Sequence, residues 1–267
     1  CNFLCTPRFG TLVCETGVLY SCLDNSRLRR LTKNPLSVLN PEPADTFGLI
    51  GETGALFPLV AGAALHEPGV TTYFAKSDSF STELAVCTDD ELPCGARVLT
   101  LRNEGDQTLT FRFTWRVLFH MGETPEATCV TDGPGYVKAV HPAFDGAAYA
   151  MAPGAEAQNG ALSLMLTVKP MHQASAVYLL CFAQEEKERR QIQSVMLDNG
   201  AGSRLRRVRF SWDEKLSRLF VRIGSDETQR LINTFLPCQT RASRLYMRAG
   251  LYQAGGAFGF RDQLQDM

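Results

Sequence analysis

The clearest pattern in the chain is an alternation of period two from Thr108 to Phe119. Leu109, Phe111, Phe113, Trp115, Val117 and Phe119 interleave with Thr110, Arg112, Thr114 and Arg116. Successive side chains of a strand point to opposite faces, so this run predicts a long β-strand with one apolar and one polar face. A second alternating run, Arg97 to Arg102, precedes it. Between them, Asn103-Glu104-Gly105-Asp106 is made of turn formers, and the pair predicts an antiparallel hairpin. Further strands are expected at Gly10–Cys14, Val70–Ala75, Glu83–Cys87, Ala161–Val168 and Ala176–Phe182. Gly133-Pro134-Gly135 and Pro153-Gly154 punctuate the gaps. No helical pattern of about 10–15 residues separates the strands, which argues for a large antiparallel β-sandwich and against a parallel α/β sheet.

The period changes near Gln184. The charged run Gln184-Glu185-Glu186-Lys187-Glu188-Arg189-Arg190 opens a helical pattern with Ile192, Val195 and Met196 on one side, and Asn199-Gly200 suits its end. Leu205, Val208, Trp212, Leu216, Leu219 and Ile223 keep steps of three and four and predict a second helix. A third is expected from Ser225 or Asp226. Asp226 with Gln229 resembles a capping box, and Pro237 should end or kink the helix. The organisation expected is a sandwich over 1–183, a helical linker over 184–224 and a further helical element over 225–267. The charges of the first helix read as a solvated face. So do Arg204, Arg206, Arg207 and Arg209, with a carbohydrate or anionic contact as the alternative.

Composition narrows the function classes. In 267 residues, 27 Lys+Arg stand against 28 Asp+Glu, which leaves no basic surplus for nucleic acid. The longest apolar stretch, Ala174 to Ala183, is half the roughly 20 residues a membrane helix needs. The chain opens on Cys1 and stops at Asp266-Met267, and a piece of a longer protein is expected. Nine cysteines without a CxxC pair point to reduced, mostly buried thiols in a cytoplasmic protein, with no metal site expected. His66, His120, His141 and His172 lack ligand spacing and read as core or surface residues. Asp89-Asp90-Glu91 reads as a solvated turn. Nucleophile elbow, P-loop, dinucleotide and HExxH signatures are absent.

Candidate chemistry concentrates between Arg248 and Asp266. Four glycines, Gly250, Gly255, Gly256 and Gly259, allow close backbone approach. Tyr252, Phe258 and Phe260 offer flat faces, while Gln253, Arg261, Asp262, Gln263 and Gln265 offer donors and acceptors. Sugar sites combine aromatic faces with bidentate carboxylate and guanidinium partners. The plainer alternative is a connecting loop in which Arg261 and Asp262 form a salt bridge and a helix cap.

The run QAGGAFGFRDQLQD, Gln253 to Asp266, closely resembles the loop that opens the catalytic barrel in glycoside hydrolase family 94. That family holds inverting β-glucoside phosphorylases and the phosphorylase-like module of cyclic β-1,2-glucan synthases. Phe9-Gly10-Thr11-Leu12-Val13, Asn25-Ser26-Arg27, Asp132-Gly133-Pro134-Gly135-Tyr136, Asn233 and Leu236-Pro237-Cys238-Gln239 are similar to the family as well.

The resemblance implies a large antiparallel supersandwich, a helical linker and the truncated start of an (α/α)6 barrel at 225–267. It implies attack of inorganic phosphate on the anomeric carbon with inversion, phosphate being a co-substrate and no cofactor being needed. It places Asp262 on sugar hydroxyls at the −1 subsite with Arg261 and Gln253 beside it, Arg248 on phosphate, and the general acid beyond Met267. The loop form looks most like the β-1,2-glucan branch, with a β-glucan oligosaccharide as partner, a homodimer through the sandwich, and a cytoplasmic location either free or within a membrane-bound synthase. The alternative of another class is a non-catalytic carbohydrate-binding or dimerisation sandwich.

Overall fold

In the computed structural model, residues 1–34, 43–60, 62–198 and 201–249 are described. The strands in chain order are β1 (Asn2–Cys5), β2 (Gly10–Cys14), β3 (Gly17–Cys22), β4 (Asp45–Gly51), β5 (Leu56–Phe57), β6 (Ala63–Glu67), β7 (Val70–Lys76) and β8 (Phe80–Thr88). They continue with β9 (Cys94–Asn103), β10 (Leu109–Val117), β11 (Cys129–Gly133), β12 (Tyr136–Val140), β13 (Ala147–Met151), β14 (Glu156–Gln158), β15 (Ala161–Val168) and β16 (Gln173–Ala183). They form three antiparallel sheets: β1-β2-β3, then β14-β15-β10-β4-β5, and an eight-stranded sheet β11-β12-β13-β16-β9-β8-β7-β6.

Two hydrophobic patterns explain the layering. β10 alternates because it lies in the outer, five-stranded sheet: Phe111, Phe113 and Trp115 are buried, while Arg112 and Arg116 are exposed. β9 and β16 do not alternate, because the eight-stranded sheet is covered on both faces. Leu99, Leu101, Tyr178 and Leu180 face the five-stranded sheet. Cys94, Ala96, Val98, Leu179 and Cys181 face the helices. β1–β3 are likewise buried throughout: Leu4, Phe9 and Val18 join the sandwich core, and Phe3, Cys5, Leu12 and Leu19 join a separate cluster with Ala242, Met247 and Ala249.

The hairpin expected between β9 and β10 is corrected. β9 pairs with β8 and β16, and β10 with β4 and β15, so the chain crosses from one sheet to the other. Leu99 and Leu101 thereby meet Phe111 and Phe113 across the core rather than side by side in one sheet. Asn103 fixes the crossover: its amide donates to the carbonyls of Gln107 (2.7 Å) and Val168 (3.0 Å), and its oxygen accepts from Gly105 N–H (3.0 Å).

The switch to helix falls where the period changes. Helix α1 (Glu186–Asp198) and helix α2 (Ala201–Leu216) lie on the outer face of the eight-stranded sheet through Ile192, Met196, Val208 and Trp212. α2 ends at Leu216, short of the Ile223 that the apolar spacing suggests. The segment beyond is held in a non-helical path by side chains of the next element. Asn233 Nδ2 donates to Val221 O (2.7 Å) and to Gln229 O (2.8 Å), and Asn233 Oδ1 accepts from Val221 N–H (2.7 Å).

The next helical run starts at α3 (Asp226–Arg230) and continues through a π-type turn (Leu231–Phe235), α4 (Leu236–Thr240) and a second π-type stretch (Arg241–Met247). Its cap is Ser225, whose Oγ accepts from Thr228 N–H at 3.4 Å, while Gln229 reaches back to Ile223 N–H. Pro237 does not end the run. A proline has no N–H and crowds the carbonyl four residues before it. The wide turn ahead of Pro237, closed by Leu236 N–H on Leu231 O, fits such a residue without a break.

Candidate functional site

Of the four residues singled out in sequence, Arg248 lies within the described chain; Gln253, Arg261 and Asp262 lie outside it. The helical run carries Arg248 to the β1–β3 sheet. Met247 is buried there, its sulfur 3.8 Å from Cys22 Sγ. A Cβ at Gly10 would overlap the Met247 side chain, so the approach requires glycine on β2. Gln239 ties the same helix to β1: its Nε2 donates to Asn2 Oδ1 (2.7 Å) and its Oε1 accepts from Phe3 N–H (3.2 Å). Arg248 then ends the run in the left-handed conformation (φ 52°, ψ 45°), half-buried, with Ala249 N–H bonded to Ser243 O. The guanidinium proposed to meet phosphate is therefore anchored by the residue before it.

A second candidate is an open cleft of about 1010 Å3 at the β11–β12 turn. Asp132-Gly133-Pro134-Gly135, the segment Ala152–Gln158, and Arg189 and Gln193 of α1 line it. Asp132 Oδ1 accepts from Gly160 N–H at 3.1 Å, which fixes the carboxylate at the rim. Arg189, expected on a solvated face, is buried instead. Its guanidinium lies 5.0 Å from the centre of the Tyr136 ring and 5.7 Å from that of Tyr149, and it donates to Glu186 (2.6 and 2.8 Å) and Gln193 (2.8 Å). The bonds to Glu186 raise the affinity of Arg189 for its proton, and the same bonds hold the Glu186 carboxyl down at about 2. The cleft thus offers carboxylates, amides and a fixed cation to a polyhydroxylated ligand, while Tyr136 and Tyr149 face the arginine.

The arginines of α2 are also not a free basic patch. Arg204 meets Asp89 (3.3 Å) and Glu91 (3.7 Å), Arg207 meets Asp90 (3.2 Å) and Glu91, and Arg209 meets Glu67 (2.8 Å). The acidic triplet, expected as a solvated turn, docks the helix to the sheet. Buried Asp89 caps its own turn by accepting from Glu91 and Leu92 N–H.

Other titratable groups have structural tasks. Arg97 and Asp45 form a fully buried pair (2.8 Å) that ties β9 to β4, with Arg97 5.5 Å from the centre of the Trp115 ring. Burial pushes the Cys87 and Cys238 thiols up to about 12 and those of Cys22 and Cys181 higher still, so none is a thiolate nucleophile. His141 Nε2 lies 2.9 Å from Thr124 O, and Nδ1 accepts from Ala143 N–H. One juxtaposition had no signal in the spacing: Cys1 Sγ, Cys14 Sγ and a Glu15 carboxylate oxygen lie within 4.8 Å of one another. Strand pairing, rather than sequence proximity, brings the first of these to the other two. No helix among the described residues is long and apolar enough to cross a membrane.

Comparison with known proteins adds to this geometry. Residues 1–131 match the family model described as glycosyl hydrolase 94, supersandwich domain. Over 106 residues the chain is 30% identical to the cyclic beta-(1,2)-glucan synthase NdvB of Rhizobium meliloti (strain 1021), a match covering 40% of this chain and 4% of that protein. A candidate kojibiose phosphorylase from the human microbiome superposes with a TM-score of 0.60 at 9% identity, over 90% of this chain and 39% of that one. A bacterial glucoamylase, solved as its acarbose complex, superposes with a TM-score of 0.55 at 7% identity over the same shares. At such identities the likeness is one of fold. The chain spans well under half the length of these solved relatives and a small fraction of the synthase.

Proposed function

Since residues 1–131 match the supersandwich domain of glycosyl hydrolase family 94, we propose that the chain is the sandwich and first helical part of an inverting glycoside phosphorylase or synthase module acting on β-1,2-linked glucooligosaccharides. The domain match carries this reading. The helical run supports it, because it fastens to β1–β3 and releases Arg248 five residues ahead of the Gln253–Asp266 motif.

In the proposed reaction an oxygen of inorganic phosphate forms a bond to the anomeric carbon as the glycosidic C–O bond breaks. The configuration inverts, α-glucose 1-phosphate forms, and a carboxylic acid outside this chain protonates the leaving oxygen. Asp262, with Arg261 and Gln253, holds sugar hydroxyls; Arg248 holds phosphate. Phosphate is the co-substrate, the sandwich is the surface for a homodimer, and the location is cytoplasmic, whether free or as part of a larger synthase. The test is phosphate-dependent release of α-glucose 1-phosphate from β-1,2-glucooligosaccharides by the protein extended past Met267. Asp262→Asn should abolish it, while the 267-residue chain alone gives none. An extended protein that binds the glucan yet forms no sugar phosphate would refute the reading.

The cleft at Asp132–Gly135 favours a second reading, a non-catalytic carbohydrate-binding sandwich. It requires saturable glucan binding by the 267-residue chain that Asp132→Ala and Gln193→Ala weaken.

A further inference from the structure

We propose that Cys1, Cys14, Glu15 and His66 form a zinc site that staples the β1–β3 sheet to β6, the edge strand of the eight-stranded sheet. The antiparallel register sets Asn2 opposite Val13 and so brings Cys1 opposite Cys14 on one face. Glu15 follows in the β2–β3 turn, and the two sulfurs and a Glu15 oxygen lie within 4.8 Å of one another. His66, on β6, brings Nε2 to 3.7 Å from Glu15 Oε1. That nitrogen is buried and has no hydrogen-bond partner. The other ring nitrogen, Nδ1, is 3.0 Å from Thr71 Oγ1, and Asn2 Nδ2 donates to the same hydroxyl at 3.1 Å.

With Nδ1–H donating to Thr71, the lone pair of Nε2 points away from that bond. This is the outer hydrogen bond by which metal-binding imidazoles are oriented. Thr16 Oγ1 lies 3.0 Å from Cys14 Sγ and can donate to its thiolate in the same way.

Two thiolates, an imidazole and a carboxylate are a donor set that suits tetrahedral zinc, with bonds of about 2.0–2.3 Å. Ligand atoms on one such ion stand within about 4 Å of each other, so the Cys1, Cys14 and Glu15 atoms have to contract by only about 1 Å, and His66 Nε2 has to close on them from the Glu15 side. Thiolates make calcium or magnesium poor occupants. Spacing could not reveal the site, because its ligands come from two sheets and the only adjacent pair is Cys14-Glu15.

The experiment uses metal-stripped, reduced protein titrated with Co2+, read by thiolate-to-cobalt charge-transfer and tetrahedral ligand-field absorption, with Zn2+ as competitor. One ion per chain is expected, displaced by zinc. Cys1 and Glu15 are exposed, so Cys1→Ser and Glu15→Gln leave the fold intact and should each weaken binding about 10-fold or more. Cys129→Ser, at the other exposed cysteine, should leave it unchanged. Wild-type affinity in both cluster variants overturns the site, as does a Cys1–Cys14 disulfide in protein that takes up no cobalt after reduction.

Discussion

Gly69 stands between β6 and β7 at the point where α2 meets the sheet. Its φ is +76°, and a Cβ built on it would overlap the Trp212 indole Cδ1, come within 2.5 Å of Nε1 and lie 2.8 Å from Val208 Cγ1. Trp212 and Val208 are buried, so neither can swing into solvent without uncovering the sheet. Gly69→Ala therefore combines two costs. A left-handed alanine costs about 1–2 kcal/mol, and forcing a methyl into a filled interface costs about 1–3 kcal/mol more, for a total of about 2–5 kcal/mol. Gly54 supplies the control: its φ is +79° and nothing lies within 4 Å of a Cβ there. Gly54→Ala should cost the backbone part alone. The alanine's smaller unfolded-state entropy, worth about 0.4–1 kcal/mol, enters both and cancels in the difference.

Urea unfolding followed by tryptophan fluorescence measures both variants. Most of the packing cost should also disappear when Gly69→Ala is made in a Trp212→Ala background, where the Val208 contact alone remains, giving a coupling of about 1–3 kcal/mol. Equal losses at Gly69 and Gly54, with no coupling to Trp212, would show that α2 is not seated on this loop.

Arg97→Met should destabilise by about 3–5 kcal/mol, because it strands the buried Asp45 carboxylate; replacing both members by apolar residues should restore much of the loss in the same melts. Asn233→Ala removes three hydrogen bonds and should cost about 1–3 kcal/mol, with accelerated amide exchange confined to Val221 and its neighbours. The Glu186 carboxylate, lowered to about 2 by hydrogen bonds from Arg189, contributes stability above the ordinary glutamate range and loses it as pH falls toward 2. Because Glu186 is half exposed, the contribution is below about 1 kcal/mol, so wild type and Glu186→Gln should differ slightly at pH 7 and converge in acid.

The sequence was legible where a strand or helix has one wet face. β10 declared itself by alternation, and β15, at Ala161–Val168, was bounded to the residue. β1, β3 to β6 and β11 to β14 were not anticipated: β1 and β3 are covered on both sides and carry no period, and β4 is interrupted by two glycines. The β9–β10 turn chemistry was read well but its partners were not, since a tight turn can join strands within one sheet or across two, and only the facing cores decide. The α2 arginines and the acidic triplet were each read alone as solvated, because their pairing depends on contacts more than a hundred residues apart. Of the residues proposed for a sugar site, Gln253, Arg261 and Asp262 lie outside the described residues and Arg248 is placed at a helix end fastened to the sandwich, the part of the chain on which the family match rests.

The fastening of that helix to β1 has a consequence in time. Phe3 and Asn2 bond to Gln239, and Cys5 lies 3.6 Å from Ala242 O, contacts that join residues more than 230 positions apart. During synthesis at roughly 5–20 residues per second, the outer face of the first sheet stays bare for some tens of seconds after the sheet emerges. A ribosome-bound nascent chain ending at residue 183 would therefore present Phe3, Leu12 and Leu19 to chaperones. One in which residue 249 has cleared the ribosome would not, which makes the first sheet the last part of the unit to be finished.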